Sequence, residues 1–486
     1  MILALLMQST PTTTAAPPSA DPPAPAPIGP LPSPAQLAWK EMGFTGFIHF
    51  GPNTFTDREW GHGDEPAAVF APTQLDARQW VRAMKAAGMG GVVVTAKHHD
   101  GFCAWPTALS QHSVRSSPWK QGQGDVLREL SDACRAEGMR FGVYLSPWDR
   151  NNPAYGSGEA YNEYFRSQLR EVLTSYGPIF EVWFDGACGE GPDGRRQKYD
   201  FASFIRTVRE LQPQAVIFSD VGPDIRWVGN EQGHAGETCW SMLRAKGHGI
   251  GADNPPPTQS LYEGDIDGEA WIPAECDVSI RPGWFYHAHE DDKVKTPAQL
   301  LDLYERSVGH NANFHLNVPP DRRGLIHEND VAALAKLGEL IRTTYGYGSD
   351  LAAGARAVAT PVRGGSERFA GARVLDGDAH TYWAADDGVL AGTVELTLPR
   401  AVRFDRVQLG EPVHLGQRIK QFEVDVREGS AWRTVAKGTT VGQRRIVRFD
   451  PVEADAVRIR VLDARACPAL SEVSLHASPA ARTQAK

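Results

Sequence analysis

The sequence predicts an α/β protein in which an irregular (β/α)8-like barrel is followed by an antiparallel β-sandwich. From Gln36 onward, strand-like and helix-like segments alternate along most of the chain. The predicted strands are apolar throughout, which is typical of parallel strands buried on both faces. From about Arg356 the chain changes to short segments in which apolar and polar residues alternate. A length of 486 residues exceeds one ordinary core and also favours two domains.

The elements of the barrel follow one another in a regular order. Two helices end at glycines, Gly88 and Gly138, and a strand follows each at once. Glycine adopts the left-handed conformation at a helix end without steric cost. The predicted elements are strand Gly43–Gly51, helix Leu75–Met89, strand Gly90–Gly101, helix Asp125–Met139, strand Arg140–Asp149, helix Tyr161–Gly177, strand Pro178–Gly186, helix Phe201–Pro213 and strand Gln214–Asp220.

The later strands of the barrel are less distinct. The segments AECDVSIRPG and NFHLNVPP are candidates, and Asp330–Gly346 is the predicted closing helix. Eight strands are not evident, so the barrel is expected to be irregular. A Rossmann fold is the alternative, but no GxGxxG motif follows the first strand.

The domain bounds follow from changes in composition. The N-terminus combines a short apolar run, MILALLM, with a tract rich in Ser, Thr, Ala and Pro, which resembles a secretory signal without its basic region. We therefore expect a periplasmic or secreted protein; a disordered cytoplasmic tail is the alternative. The apolar run is too short to span a membrane. The predicted parts are a signal-like segment and disordered linker (1–34), the barrel (35–347), a linker (348–355), the β-sandwich (356–478) and a disordered tail (479–486).

Composition narrows the class of partner. The formal net charge is −9 and no run of Lys and Arg stands out, so the sequence does not indicate a nucleic-acid binder. Six cysteines are scattered without a CxxC pair, which argues against a disulfide scaffold or a zinc ribbon. One or two disulfides, or buried free thiols, remain open. The oligomeric state is not predicted.

Polar and aromatic residues collect where the predicted strands end, which is where barrel active sites form. They are His49, Lys97, His98, His99, Asp100, Tyr144, Trp148, Trp183, Asp185 and Asp220, with Glu231 in a following loop. Carboxyl groups can cleave a glycosidic bond, imidazoles can bind hydroxyls, and aromatic rings can stack on sugars. The pattern therefore favours a sugar-cleaving pocket.

Pattern alone leaves the carboxyl roles open. Asp185 ends the apolar run FEVWFDG, where it either caps a turn or takes part in catalysis. For Glu231, three other glutamates compete: Glu237, Glu263 and Glu275. A catalytic metal is not expected, because neighbouring residues of a strand point to opposite faces and no HxH or HExxH motif occurs.

Five segments together resemble the α-L-fucosidases of glycoside hydrolase family 29: HFGPNTFTDREWG, AKHHDGFCAWP, FGVYLSPWDRN, FEVWFDGA and WVGNEQG. The likeness covers about Ala35 to Leu340, and it is greatest to the subfamily selective for α-1,3/1,4-linked fucose. DVSIRPGWFYH and NANFHLNVPPDRRGLI extend it.

The resemblance implies a retaining exo-hydrolase that needs no cofactor and acts on fucosylated oligosaccharides or glycoconjugates. It implies that Asp185 is the nucleophile and Glu231 the acid/base, although the acid/base position varies across the family. The implied substrate-binding residues are His49, Glu59, Trp60, His98, His99, Tyr144, Trp183 and Trp284.

The C-terminal segment RVLDGDAHTYWAADDG resembles the discoidin, or F5/8 type C, domain. The resemblance leaves open a bound sugar, a structural Ca²⁺ near the DGD loop, or a domain that only braces the barrel. Three functional alternatives also stay open: a fucosidase of broader linkage range, a catalytically silent fucose-binding protein, and a metal-dependent hydrolase.

Overall fold

A computed structural model describes residues 21–250 and 254–483. The strands of the first domain are β1 (Phe44–Ile48), β2 (Gly91–Lys97), β3 (Arg140–Leu145), β4 (Glu181–Trp183), β5 (Val216–Ser219), β6 (Ile225–Trp227), β7 (Met242–Leu243), β8 (Ala270–Trp271), β9 (Ala274–Ser279) and β10 (Asn313–Asn317). Eight of them close a parallel barrel in the order β1-β10-β9-β6-β5-β4-β3-β2, while β7 and β8 form a separate ribbon. The predicted barrel is confirmed.

The helices surround the barrel. They are α1 (Pro34–Met42), α2 (Pro52–Thr56), α3 (Ala77–Ala87), α4 (Val126–Glu137), α5 (Glu159–Ser175), α6 (Phe201–Leu211), α7 (Thr258–Glu263), α8 (Pro297–Ser307) and α9 (Glu328–Tyr345). Aspartate side chains cap the N-termini of α3, α4 and α6. As predicted, α3 and α4 end at left-handed glycines, Gly88 with φ 97° and Gly138 with φ 71°.

The barrel is irregular at β5 and β6. These strands are parallel neighbours, yet residues 220–224 join them without a helix. The strand β6 has three residues and was not predicted, because so short a segment carries no periodicity. The strand β4 is equally short, so Asp185 lies two residues beyond its end.

Alternation along the strands separates two cores. Val92 and Val94 belong to the cluster between strands and helices, whereas Val93 between them belongs to the cluster inside the barrel. Tyr144 and Trp183 share the inner cluster with Val93. Their inward orientation places these aromatic rings below the carboxyl ends of the strands.

The second domain is the predicted antiparallel β domain. Its strands are β11 (Arg356–Thr360), β12 (Trp383–Ala384), β13 (Gly392–Gly410), β14 (Ile419–Glu428), β15 (Ala431–Gly438), β16 (Arg445–Ala464), β17 (Ala469–Leu470) and β18 (Glu472–His476). Six form a sheet in the order β11-β13-β16-β14-β15, with β18 paired to β13; β12 and β17 form a two-stranded sheet.

Two predictions of disorder are wrong where the structure describes the chain. Residues 21–33 are extended along the second domain: Arg363 and Arg418 donate to the carbonyls of Pro23 (2.7 Å) and Ala26 (2.6 Å). At the other end, Pro479–Thr483 forms helix α10, with Ala481 buried. The signal-like residues 1–20 and the last residues, 484–486, lie outside the described residues.

The region predicted as a linker, 348–355, is also packed against the second domain. The Leu351 amide donates to the Leu475 carbonyl over 2.9 Å, and Ala352 is buried.

All six cysteines are free thiols. Among the helices of residues 21–250 and 254–483, none has the length and apolar character that a membrane crossing requires.

Candidate active site

A cavity of about 180 Å³ opens at the carboxyl ends of the barrel strands. Every residue of the predicted site lines it, together with Phe47, Ala187 and Asp277. The predicted residues brought together here are His49, Glu59, Trp60, His98, His99, Tyr144, Trp183, Asp185, Glu231 and Trp284.

A larger cavity, of about 610 Å³, lies at the opposite end of the barrel. Its walls include Trp39, Met139, Phe141 and Phe180, and no carboxyl or imidazole group lines it. Glycosidic bond cleavage needs carboxyl groups. The smaller cavity is therefore the candidate active site.

Asp185 is fixed at both carboxylate oxygens. Its Oδ1 accepts from the Ala187 amide at 2.7 Å, and its Oδ2 accepts from the Tyr144 hydroxyl at 2.9 Å. Burial and the charge of Asp185 raise the pKa of Tyr144 well above its usual range, so this hydroxyl stays a donor. Asp185 thus closes a tight turn, and it also lies in the cavity, where its predicted part in catalysis requires it.

His49 follows β1 and is neutral. Its Nδ1 is 2.9 Å from Asn317 Oδ1 at the end of β10. Burial lowers the pKa of His49 to about 3, against smaller opposing effects of that hydrogen bond and of Asp185. A neutral imidazole offers one donor and one acceptor, which suits recognition of a sugar hydroxyl.

His98 and His99 both line the cavity, with ring centroids 4.1 Å apart. The expectation that they point to opposite faces was wrong, because β2 ends at Lys97 and alternation stops there. Burial lowers the pKa of both rings. His99 Nδ1 contacts Ser146 Oγ at 2.8 Å, whereas His98 Nδ1 is buried without a hydrogen-bond partner.

The Glu59 carboxylate ties two loops of the rim together. It accepts from the amides of Trp284 (2.7 Å) and Phe285 (3.1 Å) and contacts His287 Nε2 at 2.6 Å. Trp60 beside it is 56% exposed, the largest open aromatic surface of the cavity. An exposed ring at the rim is available to stack on a bound sugar.

Glu231 stands in the loop after β6 and is exposed. Its Oε2 accepts from Trp284 Nε1 at 3.3 Å. The competing glutamates do not line the cavity. Glu275 is buried inside the barrel, Glu263 belongs to α7, and Glu237 contacts the second domain through its backbone carbonyl.

The family is decided by comparison with known proteins. The family model for α-L-fucosidase matches residues 38–345, and the model for the F5/8 type C domain matches residues 357–473. The chain belongs to the α-L-fucosidases of glycoside hydrolase family 29. It is therefore an enzyme, and the catalytically silent alternative is set aside.

A plant relative and a bacterial structure match this fucosidase over nearly its whole length, and a human relative matches about half of it. It is 45% identical to α-L-fucosidase 1 of Arabidopsis thaliana over 458 residues, which cover 93% of this chain and 89% of that protein. The GH29 fucosidase of Ruminococcus gnavus, solved in complex with fucose, superposes with a TM-score of 0.85 at 32% identity, covering 95% and 97% of the two chains. Human tissue α-L-fucosidase is 26% identical over 275 residues, or 53% of this chain and 52% of that protein.

Asp277 is the carboxyl of this fucosidase that sequence reasoning missed. It lies on β9, is buried, and lines the cavity. Burial first, and then the charge of Glu231, raise the pKa of Asp277 well above its usual range, so it is a neutral hydrogen-bond donor. Its position two residues after Glu275, on the same side of the strand, was the available signal.

Some polar strand ends serve the fold of this fucosidase instead. Lys97 is fully buried outside the cavity, where its Nζ donates to Asp149 (3.0 Å) and Gln168 (2.9 Å). Asp100 accepts from the Phe102 amide at 2.7 Å. Trp148 packs edge-on against Trp60 with centroids 5.6 Å apart, and so supports the rim.

The residues proposed for a structural Ca²⁺ do not fit one. Asp376 accepts from the Asp378 amide (3.0 Å) and the Thr381 hydroxyl (2.6 Å), and Arg373 lies 3.6 Å from the same carboxylate. Across residues 21–250 and 254–483, the one group of three acidic or imidazole side chains spaced for a metal lies elsewhere, at Asp57, His287 and His289.

Proposed function

We propose that this enzyme is a retaining, exo-acting α-L-fucosidase that releases α-1,3/1,4-linked fucose from branched, Lewis-type glycans. The observation that carries the proposal is the Asp185 carboxylate, held at both oxygens in the cavity that Glu231 also lines. A retaining glycosidase uses one carboxylate as nucleophile and a second carboxyl group as acid and then base.

Asp185 has the properties of the nucleophile. The Tyr144 hydroxyl and the Ala187 amide each donate to one of its two oxygens and hold the carboxylate in place. Attack of the carboxylate on the anomeric carbon forms the fucosyl-enzyme and breaks the glycosidic bond. Both hydrogen bonds also fix the direction of attack, because they leave the carboxylate little freedom to rotate.

Glu231 has the properties of the acid/base. Its exposed position on the rim suits a group that first protonates the departing sugar oxygen and then deprotonates a water molecule. A bound glycan would cover Glu231 and remove it from solvent. The Trp284 indole, which donates to Glu231, orients the carboxyl toward the cavity that Trp284 shares with it.

The rest of the cavity suits one fucose residue. Nδ1 of His49 bonds Asn317 and Nδ1 of His99 bonds Ser146, which leaves Nε2 of each neutral ring for a fucose hydroxyl. The partnerless His98 Nδ1 needs an outside partner, because a buried unpaired nitrogen is costly. Phe47 and Trp183 supply apolar walls for the ring and its methyl group.

Linkage selectivity is tested with matched substrates. A fucosyl Lewis trisaccharide is compared with a 2-linked fucosyl oligosaccharide, and an aryl α-L-fucoside reports fucose recognition alone. We expect kcat/KM for the trisaccharide to be higher on the order of tenfold or more, because the rim at Trp60 and Trp284 contacts the branch. Equal values for the two oligosaccharides would show a fucosidase of broader linkage range.

A further inference from the structure

Two glutamate side chains are buried inside the barrel beneath the active site. Glu181 on β4 and Glu275 on β9 are both fully inaccessible to solvent. The two carboxyl groups are neighbours, and each affects the pKa of the other. Glu181 Oε1 and Glu275 Oε2 are buried and have no hydrogen-bond partner within residues 21–250 and 254–483.

The surroundings favour the uncharged form of both carboxyl groups. Burial raises the pKa of both groups, and the charge of Glu181 raises that of Glu275 further. His315 Nδ1 lies 3.9 Å from Glu275, but burial lowers the pKa of His315 to about 3, so the ring is neutral. Within residues 21–250 and 254–483, neither glutamate forms an ion pair with Lys or Arg.

Each end of the pair accepts from a tryptophan. Glu275 Oε1 accepts from Trp183 Nε1 at 3.0 Å, and Glu181 Oε2 accepts from Trp39 Nε1 at 3.2 Å. The Trp183 ring also stacks on Phe218, with centroids 3.9 Å apart and planes 12° apart. Trp183 is therefore fixed both at its N–H and at its face.

We propose that the Glu181–Glu275 pair positions Trp183, and through it the sugar bound in front of Asp185. The hydrogen bond to Glu275 sets the rotation of the indole. This inference rests on the proposed contact between fucose and Trp183. Glu275 is a positioning residue, since it does not line the cavity.

The test compares two substitutions of Glu275 on an aryl α-L-fucoside. Glu275→Gln keeps an acceptor for the Trp183 N–H, so kcat/KM is expected to stay within a few fold of the wild type. Glu275→Met removes the bond to Trp183 and releases the indole. We expect its kcat/KM to fall on the order of 10- to 100-fold, mostly in kcat, because a misplaced wall misaligns the sugar.

A double-mutant cycle separates positioning from general damage. Trp183→Phe keeps an aromatic wall but lacks the N–H, so Glu275→Met should cost little more in that background. Trp39→Phe is the matched control: it removes the bond at the far end of the pair, and kcat/KM should not change. Circular dichroism and thermal unfolding confirm that each variant is folded.

Three results would overturn the inference: wild-type kcat/KM in Glu275→Met, additive losses in the cycle, or a Glu275→Gln variant as slow as the methionine variant. If Glu275→Met does not fold, the Trp183→Phe variant tests the inference instead. Unchanged kcat/KM in that variant would show that the hydrogen bond between Trp183 and Glu275 has no role in catalysis. The substrate is an aryl fucoside, so the outcome is independent of linkage selectivity, and labelling of Asp185 tests the nucleophile separately.

Discussion

At the scale of single residues, the two carboxyls proposed as catalytic have opposite surroundings. Asp185 is held at both oxygens, whereas Glu231 is exposed and has one indole donor at 3.3 Å. A nucleophile gains from a fixed direction of attack, and an acid/base that must meet both glycan and water gains from access. The proposed roles agree with this difference in surroundings.

The role of Glu231 predicts a specific rescue. Glu231→Ala should lower kcat on a Lewis trisaccharide on the order of 10²- to 10⁴-fold, because the departing sugar is no longer protonated. On an aryl α-L-fucoside, whose leaving group departs without protonation, added azide should restore turnover by attacking the fucosyl-enzyme and give a fucosyl azide of retained configuration, which NMR identifies. Glu237→Ala is the control, since only the backbone carbonyl of Glu237 bonds the second domain. An inverted azide product from Glu231→Ala would assign the nucleophile to Glu231 instead.

Sequence reasoning found most of this cavity but misjudged its details. The alternation of side chains along a strand predicted that Trp183 and Asp185 face the same side of the sheet, and both line the cavity. The expected alternation did not hold for His98 and His99, because both residues follow the end of β2 and their rings lie side by side. Asp277 was missed because its burial, which is the larger cause of its raised pKa, and its closeness to Glu231 both follow from the fold and not from the neighbouring sequence.

At the scale of elements, short strands place the site. The strands β4 and β6 have three residues each, so the chain leaves the barrel early, and Asp185 and Glu231 follow only two and four residues after the strand ends. The long apolar strands and capped helices were predictable from periodicity. The strand β6 was not, because three residues paired to β5 and β9 are defined only by their partners.

The end of β2 depends on a buried ion pair. Lys97 and Asp149 are both inaccessible, with Nζ and Oδ2 3.0 Å apart. Lys97→Met would leave the Asp149 charge buried without its cation, and we expect the free energy of unfolding in urea to fall by about 3–5 kcal/mol. Lys336→Met, at an exposed pair on α9, should change it by less than about 0.5 kcal/mol. Equal small effects of both substitutions would contradict this role.

At the scale of the whole molecule, the second domain braces the loop that follows Glu231. Thr440 Oγ1 accepts from the Cys239 amide at 2.8 Å, and Arg445 donates to the Glu237 carbonyl at 2.8 Å. Composition could not predict this brace, nor that residues 21–33 lie along the second domain. Both depend on side chains such as Arg363 and Arg418 meeting backbone carbonyls far away in sequence.

Gln417 tests the brace between the domains. It is fully buried, accepts from the Ser241 amide at 2.8 Å and donates to the Cys239 carbonyl at 3.0 Å. Gln417→Ala leaves the Ser241 amide unpaired and removes one of the two donors to the Cys239 carbonyl, which Asn311 also reaches at 3.1 Å. This should destabilise the protein by about 1–3 kcal/mol and lower its Tm. Gln421→Ala, at an exposed position nearby, is the control. A Tm equal to that of the control would mean that the brace contributes no stability.

The central claim is that Asp185 forms a covalent fucosyl-enzyme, and trapping that intermediate tests it most directly. A 2-deoxy-2-fluoro-L-fucosyl fluoride should inactivate the enzyme. The fluorine at C2 slows both formation and hydrolysis of the intermediate, but the good fluoride leaving group speeds its formation, so the intermediate accumulates. Mass spectrometry of the digested protein should then find one added fluorofucosyl group on the peptide that contains Phe180–Gly186, at Asp185. Labelling of another carboxyl, or inactivation that Asp185→Gly does not abolish, would contradict the account.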